Sequence, residues 1–296
     1  MLAGVLKIIT DEFEQAAQSS MDPGVQEHLI ERIAATPLRT YPYPHLYTES
    51  IFPADYYAAL RRNWPDASRL VSIESTGRVT GGQYHERFVM PLSPKKIDAL
   101  PEVAKGFWSD FAQWMLRSER FFAVIMDKFE PYLRERFGTR MEQVSFSSEL
   151  LMVRDHTNYK LGPHTDAPRK VLPLLFYCPD DDAYSHLGTS IYTPIDPAFR
   201  CAGGPHHPHD KFRRYATMEY RPNTLFAFVK TDQSFHGVEP IPDAGVLRDL
   251  ILYDIHVDAD ATQPQQQPGG QPTQQPDKPG GAFGLKILKN ILRRQR

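Results

Sequence analysis

Between Ser145 and Val257 the chain passes through five short runs of apolar, β-branched and aromatic residues. They read S-S-E-L-L-M-V-R, V-L-P-L-L-F-Y-C, G-T-S-I-Y-T-P, T-L-F-A-F-V and R-D-L-I-L-Y-D-I-H-V. Loops separate them, and no helical pattern intervenes. Strands joined in this way point to antiparallel sheets in a sandwich or jelly roll. Helices come earlier in the chain. Pro53, Ala54 and Asp55 make a helix start, after which Tyr57, Leu60 and Trp64 recur at helical spacing. From Pro101 to Phe137 a period near 3.6 is kept by Val103, Phe107, Phe111, Met115, Phe121, Val124, Ile125, Phe129 and Leu133. The expected class is mainly β with supporting helices (α+β), a double-stranded β-helix or jelly roll.

At 296 residues and 41% hydrophobic content the chain can bury a large core. Lys and Arg number 34 against 36 Asp and Glu, a formal charge of -2, so no basic bias favours nucleic acid. Cys178 and Cys201 are too few for a disulfide framework or a four-thiolate zinc site, which suits a reducing cytoplasm. The opening M-L-A-G-V-L-K-I-I-T has no basic region ahead of its apolar residues, and predicts an amphipathic helix rather than a signal peptide. No apolar run approaches the roughly 20 residues of a membrane span.

Four segments follow: a helical stretch over 1–40, the main domain over 41–258, a Gln/Pro/Gly-rich linker over 259–282, and F-G-L-K-I-L-K-N-I-L-R-R-Q-R over 283–296. The linker composition cannot pack a core and is expected to be disordered. In the last segment Leu285, Ile287, Leu288, Ile291 and Leu292 gather opposite Lys286, Lys289, Arg293, Arg294 and Arg296. Such a basic amphipathic helix suits an anionic membrane surface or a groove on a partner protein. The expected location is cytoplasmic, with peripheral membrane contact through this helix.

The stretch Y-K-L-G-P-H-T-D-A-P, Tyr159 to Pro168, places an imidazole and a carboxylate two residues apart. In a strand or extended rim, i and i+2 project to the same side, so His164 and Asp166 can grip one ion. His236, in T-D-Q-S-F-H-G-V-E-P-I, supplies a third donor. Two histidines and one carboxylate leave positions open on the metal, the arrangement of non-haem Fe(II) that must also bind a co-substrate and oxygen. If that co-substrate is 2-oxoglutarate, its far carboxylate needs a cation inside the barrel. Arg248, heading the last strand, can take a carboxylate bidentately.

With H-T-D, S-F-H-G-V-E-P and Arg248 in this order, the chain resembles the Fe(II)- and 2-oxoglutarate-dependent dioxygenases, in particular their prolyl-4-hydroxylase-like branch. The segment P-Y-P-H-L-Y-T-E-S-I-F-P-A-D-Y-Y-A-A-L is similar to the entry segment of many such enzymes. The resemblance runs from about Pro42 to Val257 and implies a jelly roll braced by helices. It implies that His164, Asp166 and His236 ligate iron, that Arg248 binds 2-oxoglutarate, and that Tyr177 helps to hold the same carboxylate. It also implies hydroxylation of a small-molecule, glycan or protein substrate, with O2 consumed and 2-oxoglutarate converted to succinate. Related halogenases lack the carboxylate that Asp166 supplies. G-T-S stands where many relatives carry Gly-Gly-Glu/Asp.

A catalytically silent jelly-roll binding module, recruited by its C-terminal helix, is the alternative, and a cupin-like metalloenzyme without 2-oxoglutarate would not need Arg248. The region from Asp196 to Met218 reads as an inserted loop, with P-H-H-P-H inside it a solvated stretch rather than a second metal site. His256 reads as structural, and His85 and Arg87 as candidates for the substrate mouth.

Overall fold

The computed structural model describes residues 21–79, 84–242 and 245–257, all within one compact unit of the chain. The linker and basic helix expected over 259–296 lie outside the described residues, as does the opening segment to residue 20.

Helices form one layer. Helix α1 (Pro23–Ala35) begins where Asp22 accepts a hydrogen bond from the Gly24 amide at 2.7 Å, with proline at the first position, and buries Val25, Leu29 and Ile33. Helix α2 (Ala54–Arg62) follows the Pro53 start, and a short α3 (Pro94–Ile97) precedes the main pair. The helical pattern of 101–137 is two helices rather than one, α4 (Glu102–Arg117) and α5 (Glu119–Phe137). Ser118 ends the first and caps the second, its hydroxyl accepting from the Phe121 amide at 3.1 Å. Along α5, Phe121, Ile125, Phe129 and Leu133 bury one stripe, and Phe121 meets Tyr253 edge-on at 5.2 Å between ring centroids.

The strands are β1 (His45–Glu49), β2 (Val71–Ser72), β3 (Arg87–Pro91), β4 (Phe146–Asp155), β5 (Leu161–His164), β6 (Lys170–Tyr177), β7 (Thr189–Pro194), β8 (Phe212–Met218), β9 (Thr224–Phe228), β10 (His236–Val238) and β11 (Arg248–Val257). They make two antiparallel sheets. The larger runs β1-β9-β6-β11-β4-β3-β2 and the smaller β5-β10-β7-β8. Each strand of the larger sheet faces two ways. On β11, Ile251, Tyr253 and Ile255 enter the core shared with the helices, while Leu250 enters the core between the sheets. By the same alternation Arg248, Leu252, Asp254 and His256 point between the sheets, and all four line the cavity there.

All five strands anticipated from the sequence are present, as β4, β6, β7, β9 and β11. One expectation is corrected. The Asp196–Met218 region is not all loop, since Phe212–Met218 forms β8 on the edge of the smaller sheet. A second strand, unforeseen, holds His236. It is a three-residue strand in the smaller sheet, which is too short for a periodicity argument to find.

Candidate metal centre

The metal-ligand candidates meet on the smaller sheet. His164 ends β5 and His236 begins β10, and the two are direct partners across that antiparallel pair. Their ring centroids lie 4.4 Å apart. Asp166 follows two residues after His164, and one donor atom from each of the three lies within 4.8 Å of the others. Gly237 permits this pairing. A Cβ there would sit 2.3 Å from the Leu161 carbonyl oxygen, closer than any side-chain carbon tolerates.

Each imidazole is oriented by a carbonyl two residues before it. His164 Nδ1 lies 3.0 Å from the Gly162 carbonyl oxygen, and His236 Nδ1 lies 3.0 Å from that of Ser234. A carbonyl can only accept, so each ring carries its proton on Nδ1 and presents the lone pair of Nε2, as metal-ligating histidines do. Asp166 Oδ2 is buried with no hydrogen-bond partner and faces His236 Nε2 at 3.8 Å. A buried carboxylate oxygen without a donor is costly unless a cation takes it. Two free imidazole nitrogens and one orphaned carboxylate oxygen therefore fit a divalent metal.

The protonation states agree with ligation. Burial pushes the pKa of His164 well below the ordinary imidazole value, with His236 adding to the effect, and burial likewise lowers His236. Burial alone would raise Asp166, but the Lys170 ammonium with the two histidines outweighs it and holds the carboxyl below the usual range. A buried histidine with a lowered pKa binds fewer protons folded than unfolded as pH falls through about 6.5, so stability is lost on the acid side. Asp166 acts in the same sense, its contribution lost as pH falls below its unfolded value of about 3.9. Metal-free protein should melt at a lower temperature near pH 5 than near pH 7.5, measured by calorimetry. A melting temperature that rises on acidification contradicts the buried neutral pair.

The cavity between the sheets has a volume of ≈ 780 Å³ and is lined by His164, Asp166, His236 and Arg248 among others. Arg248 is 1% exposed. Its Nε donates to the Leu187 carbonyl at 2.7 Å, Nη1 to Asp155 at 2.8 Å and Nη2 to the Thr189 hydroxyl at 3.3 Å. A guanidinium has five N–H groups, so donors remain for the cavity. Asp155, 0% exposed, also receives two hydrogen bonds from Arg87, at 2.6 and 2.9 Å. The buried Arg248 and the half-buried Arg87 share one carboxylate, which leaves positive charge in excess and a place for an anion. Arg248 does not pair with the adjacent Asp249, whose carboxylate turns to the opposite face and meets Arg61 and Arg154.

Tyr177 stands one step behind this site. Its hydroxyl donates to Thr189 Oγ1 at 2.7 Å and accepts from the Thr189 amide at 3.2 Å, and its ring packs beneath the Arg248 guanidinium at 5.5 Å. Thr189, the middle residue of G-T-S, is the one that reaches the cavity.

Sequence reasoning passed over Asp155, Lys170, Thr189 and Asp254. Asp254 and His256 were legible in the two-residue alternation starting from Arg248; His256 lines the cavity rather than serving as plain core. Arg87 lines the cavity directly and pairs with Asp155, while the His85 side chain is 72% exposed beside Glu74. The P-H-H-P-H stretch is not simply solvated. His206 packs against His164 at 4.8 Å between centroids, the Nε2 atoms of His206 and His207 are buried, and the His207 amide donates to the Pro163 carbonyl at 2.8 Å. Only His209 of the three is exposed. Gly203, at φ 128°, allows the close approach, since a Cβ there would lie 2.3 Å from the Asp166 carbonyl oxygen.

No protein-family model matches the chain, and neither does any curated protein. Several solved structures resemble it. A prolyl-4-hydroxylase from Pseudomonas putida aligns over 78% of this chain and 98% of its own, at 14% identity and a TM-score of 0.43. A second prolyl 4-hydroxylase, from Phytophthora capsici, covers 90% of this chain and 72% of its own at 12% identity and a TM-score of 0.45. HygX from Streptomyces hygroscopicus, solved with nickel, 2-oxoglutarate and hygromycin B bound, covers 72% and 82% at 12% identity and a TM-score of 0.40. Among the described residues, no helix is long and apolar enough to cross a membrane.

Proposed function

We propose that this chain is an Fe(II)- and 2-oxoglutarate-dependent oxygenase that hydroxylates a substrate held in the cavity between its two sheets. The observation that carries this reading is the pairing of two incomplete features in one cavity. On the smaller sheet, two oriented imidazoles and an orphaned carboxylate oxygen wait for a cation. On the larger sheet, the Arg248 and Arg87 guanidiniums, sharing Asp155, wait for an anion. A short diacid with one end on a metal and the other on Arg248 bridges the ~10 Å that typically separates facing sheets.

His164, Asp166 and His236 would hold Fe(II), and Arg248, with Thr189 beside it, would hold the far carboxylate of 2-oxoglutarate. When bound, the metal and co-substrate would supply the oxidising chemistry that couples O2 consumption and decarboxylation to succinate with oxygen insertion into a C–H bond. The chain's own part is to bind and orient. Asp155 presets the Arg248 guanidinium, and the Tyr177 hydroxyl fixes Thr189. Leu151, Leu175, Leu252 and Phe228 line the middle of the cavity and exclude water around the reacting groups. Its other end carries Arg78, Glu149, Arg169, Asp254 and His256, a lining that suits a polar substrate.

The test is an anaerobic titration of metal-free protein with Fe(II) and then 2-oxoglutarate, watching for the visible charge-transfer band of the iron chelate. Appearance of the band, followed by succinate on admitting air, is the expected result. Fe(II) binding with no band would point to a metalloenzyme that uses no 2-oxoglutarate, and no metal uptake would leave the silent scaffold.

A further inference from the structure

Lys170 has no part in the scheme above, yet its ammonium is placed between two carboxylates. It opens β6, and its Nζ lies 3.3 Å from Asp166 Oδ1 and 3.0 Å from Asp254 Oδ2. The backbone beneath it is pinned by Arg136 of α5, which donates to the Lys170 carbonyl at 2.8 Å and to that of Pro168 at 2.6 Å. Asp254 reaches this point from β11, the neighbour of β6 in the larger sheet, and its second oxygen, Oδ1, is buried with no partner. A carboxylate with a free oxygen thus stands one ammonium away from a metal-ligand candidate.

That placement poses a coordination problem. A metal held by two histidines and one carboxylate works as an oxygenase centre only while its remaining positions stay open for co-substrate and O2. A second carboxylate that turned onto the metal would be a strong oxygen ligand and would close one of them. An ammonium is a donor only and cannot ligate a cation. Set between the two carboxylates, it satisfies one oxygen of each and leaves Asp166 Oδ2 toward the histidines.

Resting on the metal reading above, we infer that Lys170 is a positioning residue that keeps Asp254 out of the metal's coordination sphere. The mixed charge row is then not an ordinary buried ion pair, because its removal changes what the metal binds and not only how stable the fold is.

Mn(II)-loaded protein tests this without turnover, since water-proton relaxation counts the water molecules on the metal. Wild-type protein should show a full set of open, water-filled positions. Lys170→Met should lose at least one water, lowering the inner-sphere relaxation by about a third, and should bind 2-oxoglutarate at least tenfold more weakly. The double variant Lys170→Met/Asp254→Asn should regain the wild-type water count, and Lys170→Arg should keep it. Should Lys170→Met not fold, Lys170→Gln carries the same comparison. An unchanged water count in the single variant overturns the inference, because Asp254, freed of the ammonium, would then not have entered the coordination sphere. So does a water lost in both single and double variants, which would place the new ligand elsewhere, for example in Asp166 turning bidentate. A wild-type protein that takes up no Mn(II) would instead sink the metal reading, and the inference with it.

Discussion

His236→Ala should abolish both the 2-oxoglutarate charge-transfer band and succinate formation. His236 is one of two imidazole donors, and its ring is held between Phe228 and His164 at centroid distances of 4.7 and 4.4 Å. Losing an outer partner of a ligating residue costs about 10- to 100-fold in metal affinity or activity, and losing the ligand itself should exceed that. The fold should survive, because the substitution removes a ring from a small strand and leaves the helix-backed core intact. Thermal melts separate the two effects. Saturating Co(II) should raise the melting temperature of wild-type protein, since a ligand at 100 times its Kd adds about 2.7 kcal/mol. The variant should melt cooperatively in chelator and show no rise with Co(II). A variant that still gains stability from the metal would show that His236 is not a ligand.

Arg248→Ala should leave metal binding near the wild-type level and remove most of the affinity for 2-oxoglutarate. Breaking one side of a buried, hydrogen-bonded charge pair costs about 2–5 kcal/mol, which corresponds to roughly 30-fold up to a few thousand-fold in affinity. Asp155 keeps its two hydrogen bonds from Arg87, so the substitution does not strand a buried carboxylate. Arg248→Lys should fall between, because a lysine restores the charge but not the planar fork that reaches Leu187, Asp155 and Thr189 together. The decisive comparison is the split between the two titrations. Equal losses of Fe(II) and 2-oxoglutarate binding would mean that Arg248 is structural and that the anion site lies elsewhere.

These two variants probe opposite walls of one cavity, and the walls differ in how far the sequence displays them. Asp166 and Arg248 stand out because charged side chains beside apolar, β-branched runs need partners. Lys170 and Asp155 are equally important to the charge balance and adjoin apolar runs too, but no motif spacing names their partners. Lys170 is four residues from Asp166, yet Pro168 and a turn separate them, so helical spacing rules do not apply. Asp155 sits at the end of β4, where the sequence shows only a polar residue leaving an apolar run.

By itself the sequence determined the five longer strands β4, β6, β7, β9 and β11, the helical brace and three of the donor types, because apolar runs, amphipathic period and the extended H-T-D spacing are local properties of the backbone. It also offered Arg248 as a cation heading the last strand, but the consecutive apolar residues Leu250 to Tyr253 suit both faces, and the fold decided which way Arg248 points. Only the tertiary structure decided which sheet each donor joins. His236 crosses to a three-residue strand opposite His164, and β8 arises inside a stretch that reads as loop. Strand pairing is set by contacts between residues far apart in the chain, and the same holds for charge. Two arginines from different strands converge on Asp155, and one lysine joins carboxylates from two elements, because a buried charge needs a counter-charge wherever the fold can bring one.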